Sequence, residues 1–471
     1  MPDYDAVIVG SGPNGLAAAV TLARCGQKVI VLEANKNIGG GTRTTEVTLP
    51  GFHHDICSAV HPLGVASPFF RDLPLADFGL EWIQPPLSVA HPLDDGRTPF
   101  LSLSLEESSA SFGVDCQTYL SWMTPLVESW TAIMEDILGP LPLPPKHPFK
   151  LARFGLSAIQ SARRLAKRRF GDEPAQALIA GLAGHGMLPL EKLTTASIAL
   201  VLGMLAHAVG WPIAKGGSQA ISHAMGAYLQ SLGGEIITGY EVASLEDLPE
   251  SRLVFLDVTP RQVVQICRSR LSTRYIQRLE KYRYGPGVCK VDYALGGSIP
   301  WKSKICSQAG TVHLGGTFEE ISAAENAVWL GEHPEKPFVL LAQQSLFDAS
   351  RAPGLLHTAW AYCHVPHDSN QDVSERITSQ IERFAPGFRE LILSKNVYTA
   401  VEIQAYNPNY VGGDINGGVQ DWRQLYSRPV TSLTPYRMPL RGFYICSSST
   451  PPGVGVHGMC GYHAARIGLK E

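Results

Sequence analysis

Gly10, Gly12 and Gly15 stand in a Gly-x-Gly-x-x-Gly arrangement, with Ser11, Pro13 and Asn14 between them. Glycines so spaced serve the diphosphate of a dinucleotide. The first permits a tight turn, the second lets the backbone approach the phosphates, and the third lets a helix pack closely on a strand. A helix opening here would aim its free N–H groups and positive dipole end at the diphosphate. Glu33, followed by Ala34, ends the next apolar run. Its carboxylate would accept hydrogen bonds from ribose hydroxyls, which disfavours a 2′-phosphate and hence NADP.

Side chains able to move a proton are fewer. His457 precedes the last helical run and could serve as acid or base beside a bound cofactor. The plain alternative is a histidine satisfied by nearby backbone. His53, His54, Asp55 and His61 form a polar cluster, in which His61 is the first choice for a catalytic role. Their spacing is not that of a metal set, so no metal is expected. Glu402 closes a strand-like run and is a further candidate base. The nine cysteines include no Cys-x-x-Cys pair, which argues against a dithiol centre or a zinc ribbon and for free thiols in a reducing compartment.

Beyond Glu33 the chain continues to Gly39, Gly40, Gly41, Thr42 and Arg43. This Glu-x5-Gly-Gly segment resembles the second signature of the glutathione-reductase-type flavoproteins, which implies FAD as cofactor. Many members carry Arg directly after the glycine pair. Gly41 stands there in this chain, and the resemblance passes the phosphate-contacting role to Arg43. The run Ser449-Thr450-Pro451-Pro452-Gly453-Val454-Gly455-Val456-His457-Gly458 resembles the closing signature of the carotenoid (phytoene) desaturases, from which Pro451 and His457 depart. Gly216-Gly217, the stretch from Gly233 to Val242, and Gly51 to Asp55 extend the likeness along nearly the whole chain. The resemblance implies that the Val242 backbone meets the adenine, that Gly453, Gly455 and Val456 lie beside the flavin pyrimidine ring, and that His61's segment runs along the isoalloxazine. It further implies dehydrogenation (desaturation) or isomerisation of a lipophilic, polyene- or isoprenoid-like substrate by hydride transfer to the flavin. No second strand-linked glycine motif is present, so an external acceptor such as oxygen or a quinone is expected to reoxidise the flavin. A flavin amine oxidase is the rival of the same class. A prenyl-binding escort of the GDP-dissociation-inhibitor type is the rival without flavin.

These residues need an α/β scaffold. The expected fold is a glutathione-reductase-type Rossmann FAD-binding domain, discontinuous over 1–60, 211–270 and 430–471. A mixed-sheet and helical substrate-binding domain takes 61–210 and 271–429, with a helical, partly basic region at 146–210. Strands are expected at Tyr4–Val9, Lys28–Leu32, Glu235–Val242, Leu253–Leu256, Val288–Leu295, Phe338–Gln344, His357–His364, Asn396–Ile403 and Phe443–Cys446. Helices are expected at Leu16–Arg24, Ala220–Leu232, Val373–Phe384 and Gly458–Ile467. Prolines mark a loop over Leu141–Pro145. Hydrophobic residues at 45% allow a large core, and a net charge of −3 excludes a general nucleic-acid binder. The start lacks a signal-peptide pattern, so a cytoplasmic protein is expected. Ala196–Ala214 reads as a buried helix and its exit turn. Lys146–Phe170 holds eight basic residues and no acid, an amphipathic pattern suited to peripheral contact with an anionic membrane.

Overall fold

The computed structural model describes residues 3–140, 144–425 and 427–471; most of the expected proline-rich loop at 141–145 lies outside them. The runs Asp5–Val9 and Val29–Leu32 are apolar almost throughout, as strands covered on both faces must be. They form the centre of a five-stranded sheet in the order Phe443–Ile445, Ser251–Leu256, Tyr4–Val9, Val29–Glu33, Glu235–Thr238. Every pairing in it is parallel. The carboxyl ends of all these strands therefore emerge on one edge, where open α/β sheets bind ligands.

The Pro13–Ala23 helix begins with proline in its first turn, where the missing N–H costs nothing, and is buried along almost its whole length. Glycines let it approach its neighbours closely. A Cβ on Gly15 would stand 2.1 Å from Gly10 O, and one on Gly461 would stand 1.8 Å from Asn14 O. The last helix, Met459–Gly468, thus packs backbone to backbone on the first.

A seven-stranded sheet runs Ile392–Tyr398, Gly287–Leu295, His357–Val365, Val339–Ala342, Ala309–Leu314, Leu87–Ala90, Phe100–Leu101. Its pairings are antiparallel except that of Ala309–Leu314 with Leu87–Ala90. The helices Glu173–Gly184 and Thr195–Ala208 are largely buried. Among the described residues no helix is long and apolar enough to cross a membrane.

Three expectations need correction. The strand expected to reach Val242 stops at Thr238, because Gly239 turns the chain with φ 70°. The run Asn396–Ile403 is not one strand. It changes from strand to helix at Thr399, whose side chain and Glu402 form a reciprocal capping box for Ala400–Tyr406. Glu402 is thus a cap and not a base. The basic stretch 146–170 is two helices, Pro148–Ala158 and Ala162–Arg169, because Ser161 caps a new helix start.

Candidate functional site

One cavity of about 960 Å³ runs from the carboxyl edge of the parallel sheet to the mixed sheet. That size lies at the upper end of the usual range for ligand cavities. Its first end is built from Gly10, Ser11, Gly12, Pro13 and Asn14, with Glu33 and Ala34 from the next strand. Gly40, Gly41, Arg43 and Val242 complete this end, and Gly455 and Val456 line the passage onward. The two glycine segments touch, since a Cβ on Gly40 would come within 3.1 Å of Gly12 Cα.

Glu33 is held firmly at this end. One carboxylate oxygen accepts from Ser11 N–H at 2.9 Å, and the other accepts from Asn35 N–H at 2.8 Å. Arg43, expected on the phosphates, donates to Glu33 at 3.0 Å and to Asn37 O at 3.0 Å. Its first task is therefore to fix the Glu33 carboxylate. The chemistry of this set fits a dinucleotide: a helix start facing the cavity, no side chains in the glycine turn, and an oriented carboxylate for ribose hydroxyls.

Several expected residues stand behind the wall. Gly15 and Gly39 serve packing; a Cβ on Gly39 would press on Ser222 Oγ at 2.6 Å. The Thr42 hydroxyl donates to Gly39 O at 2.8 Å. A Cβ on Gly453 would meet the Arg428 guanidinium at 2.1 Å.

His457 is the main correction. It is fully buried and absent from the cavity wall. Its Nδ1 accepts the Met459 N–H at 3.0 Å, and its carbonyl accepts from Ser67 Oγ at 2.6 Å. Burial pushes its pKa down to about 4, so it is neutral at pH 7. It caps the last helix. A histidine next to a helix start gives no sequence signal that separates this use from a catalytic one.

His61 does line the cavity. Ser218 Oγ donates to Ser58 O at 2.6 Å, which leaves it to accept from His61 Nε2 at 2.9 Å. The Nδ1 atom is buried without a partner. Burial lowers the pKa to about 4. His61 is therefore a neutral wall residue, with Nε2 engaged by Ser218 and Nδ1 enclosed in the wall. His54 and Asp55 lie deeper, in a network of buried charges. Asp55 pairs with Arg351 at 2.7 Å, Lys290 pairs with Asp292, and His54 lies 3.6 Å from Asp292.

The far end was not legible from motifs. It is lined by Leu202, Trp211, Leu340, Trp360, Tyr362 and Ile415, with His185, Thr311 and Asn416 as its polar groups. Trp360 and Tyr362 meet edge to face, with centroids 5.0 Å apart. The Trp211 indole N–H donates to Thr311 Oγ1 at 2.8 Å. His185 Nε2 lies 3.0 Å from His313 Nε2, and burial pushes His185 down to about 3, so the pair is neutral. Asp257 also lines the first end and accepts the Gly15 N–H at 2.8 Å. The sequence carried a signal for it, because it directly follows the Leu253–Leu256 run at a strand's carboxyl end.

Comparison with known proteins agrees with this geometry. The family model described as "NAD(P)-binding Rossmann-like domain" matches residues 8–73. The chain is 25% identical to the mouse pyridine nucleotide-disulfide oxidoreductase domain-containing protein 2, over 100% of this chain and 94% of that protein. It is 46% identical to zebrafish all-trans-retinol 13,14-reductase, over only 14% of this chain and 10% of that one. Among solved structures, an oxidoreductase from Methanosarcina mazei superposes with a TM-score of 0.68 at 15% identity, covering 99% of this chain and 100% of its own. A triple mutant of putrescine oxidase superposes with a TM-score of 0.63 at 17% identity, covering 99% and 98%. These structural likenesses are of fold: an α/β, Rossmann-like dinucleotide-binding architecture with a second, mixed sheet.

Proposed function

We propose that this chain is an FAD-dependent oxidoreductase that oxidises an uncharged, largely apolar substrate. The observation that carries the reading is one continuous cavity that joins a dinucleotide cradle at one end to an aromatic and aliphatic wall at the other. FAD, when bound, accepts the hydride. The chain's own residues hold, orient and enclose. N–H groups at the start of the Pro13–Ala23 helix receive the diphosphate, and Glu33 receives the ribose hydroxyls. The start of the Met459–Gly468 helix, capped by His457, favours negative charge arising beside Gly455 and Val456. Trp211, Trp360 and Tyr362 exclude water from the substrate end. His185, held by neutral His313, offers a hydrogen bond to one polar atom of an otherwise apolar molecule. The carboxylates of the cavity wall, Glu33, Glu241 and Asp257, belong to the dinucleotide end, which supports an uncharged substrate.

Within this reading a polyene or isoprenoid-like lipid is the finer proposal, supported by the closing glycine run and the apolar wall. Oxygen or a quinone is the proposed external acceptor. Oxidation of an amine is the second reading, favoured by the Trp360–Tyr362 pair, because an aromatic pair also suits an amine. Anaerobic bleaching of the bound flavin by a panel of apolar alcohols and polyenes, set against amines, tests both. Bleaching by the apolar set supports the first reading, and bleaching by amines alone replaces it with the second. A purified chain that binds lipid but no flavin would favour the escort.

A further inference from the structure

Asp257 leaves the Ser251–Leu256 strand at its carboxyl end, and its own N–H donates to Val9 O at 2.8 Å. The main chain is therefore fixed beside the glycine turn. The side chain crosses the mouth of the Pro13–Ala23 helix. Its Oδ2 accepts the Gly15 N–H at 2.8 Å and would lie 2.7 Å from a Cβ on Gly12. The carboxyl lines the cavity together with Gly10, Ser11 and Gly12. A dinucleotide's diphosphate belongs at this place, and a diphosphate and a carboxylate are both anions.

The surroundings supply no compensating cation. Burial holds Asp257 well above the ordinary carboxylate range, and Glu33, from the strand beyond Tyr4–Val9, adds a second negative charge in the same direction; the N–H groups of Gly15 and Gly12 act against both without outweighing them. Cys446 and Cys460 face it from the Phe443–Ile445 strand end and the last helix, and burial keeps both thiols neutral. Arg261 follows nearby in the chain, but its guanidinium donates to Gln404 Oε1 and Pro408 O, each at 3.2 Å.

We propose that Asp257 receives the dinucleotide as a protonated carboxyl, accepting from Gly15 N–H with one oxygen and donating from the other to a phosphate oxygen, so that cofactor binding takes up a proton. The proposal rests on the FAD reading above. The balance is simple: free carboxylate, one proton and FAD give the complex with Asp257 neutral. The sign follows. The diphosphate raises the carboxyl's pKa further, so affinity is highest below the free protein's pKa and falls as pH rises towards that of the complex.

The test is calorimetric titration of flavin-stripped protein with FAD, from about pH 5.5 to about pH 8.5, in two buffers of different ionisation enthalpy. Wild type is expected to take up as much as about one proton per FAD, with affinity falling up to about tenfold per pH unit. Asp257→Asn keeps an acceptor for Gly15 N–H and is expected to bind FAD with no proton uptake and a flat pH profile. Circular dichroism checks that the variant is folded, and the wild-type proton count stands without it. FAD binding by wild type with no proton uptake, or uptake that persists in Asp257→Asn, overturns the proposal and leaves the FAD reading intact. No FAD binding at any pH overturns both.

Discussion

The two ends of the cavity are made differently. The dinucleotide end is made mainly of contiguous segments, 10–14 and 33–43, whose work is done largely by main chain and by missing side chains, with Val242 and Asp257 added from elsewhere. The substrate end is made of single side chains such as His185, Trp211, Thr311, Trp360 and Asn416, brought together from distant parts of the sequence. Backbone chemistry imposes spacing, because glycines must fall at fixed intervals for a turn and a helix start to meet phosphates. Side-chain chemistry imposes only a meeting point in space. The first kind of site can therefore be read along a chain, and the second needs the fold.

The strongest way to break this contrast is to put a side chain where the dinucleotide end needs none. Gly12→Val is expected to leave a folded protein with little or no FAD, because its Cβ would press on Asp257 and block the diphosphate's approach. Flavin content after purification and incubation with FAD checks this; stoichiometric FAD would contradict it. Glu33→Ala should have a smaller effect. Loss of charge-assisted hydrogen bonds to ribose removes roughly 1.5–3 kcal/mol, about ten- to hundredfold in FAD affinity. Arg43 and Ser11 also lose a partner, so equilibrium dialysis should accompany a thermal melt.

Two histidines sharpen the contrast at the next level. His185→Ala should keep FAD and weaken substrate, raising KM about five- to tenfold through one lost hydrogen bond. His457→Ala should do the reverse. It loses the contact to Met459 N–H and costs about 1 kcal/mol of stability, with the reductive half-reaction unchanged. Stopped-flow flavin reduction with the substrate found by bleaching separates them. A reduction rate that collapses in His457→Ala would return that residue to the mechanism.

The smallest expected effect lies outside the cavity. The proposed membrane contact centres on the Pro148–Ala158 helix. Phe149 and Leu156 are 89% and 72% exposed there, beside the exposed basic residues Lys150 and Arg153. In the following helix Arg163 and Lys167 are engaged by Glu319. The apolar residues expected to face a membrane, Phe154, Ala158, Ala162 and Leu165, pack into the core instead. Sedimentation with anionic vesicles should show weak, salt-sensitive binding that Phe149→Ser with Leu156→Ser removes; equal, negligible binding to anionic and neutral vesicles would end the proposal. Each basic residue at such a surface is worth about 1 kcal/mol.

How far the sequence could be read follows the same division. Most expected strands and helices stand within a few residues of their places, because apolar runs bounded by glycine and proline mark them locally. The Asn396–Ile403 run misleads because its β-branched residues read as strand, while the Thr399–Glu402 cap sets a helix there. The short strands Leu87–Ala90 and Ala309–Leu314 were not expected, and they owe their state to partners far away in sequence. At the site, Glu33 was legible because it closes a strand, but its lock by Arg43 was not. His457 and His61 stand out in the sequence as titratable groups beside glycine segments, and burial holds both well below the ordinary histidine range.

The central claim is that the cavity holds FAD along its glycine-lined end. The most direct test is the flavin released by acid from the purified, FAD-incubated chain, quantified against protein. The account predicts about one FAD per chain, with a flavin absorption spectrum in the intact protein. A colourless protein that releases no flavin and protects no bound FAD from dialysis would contradict it.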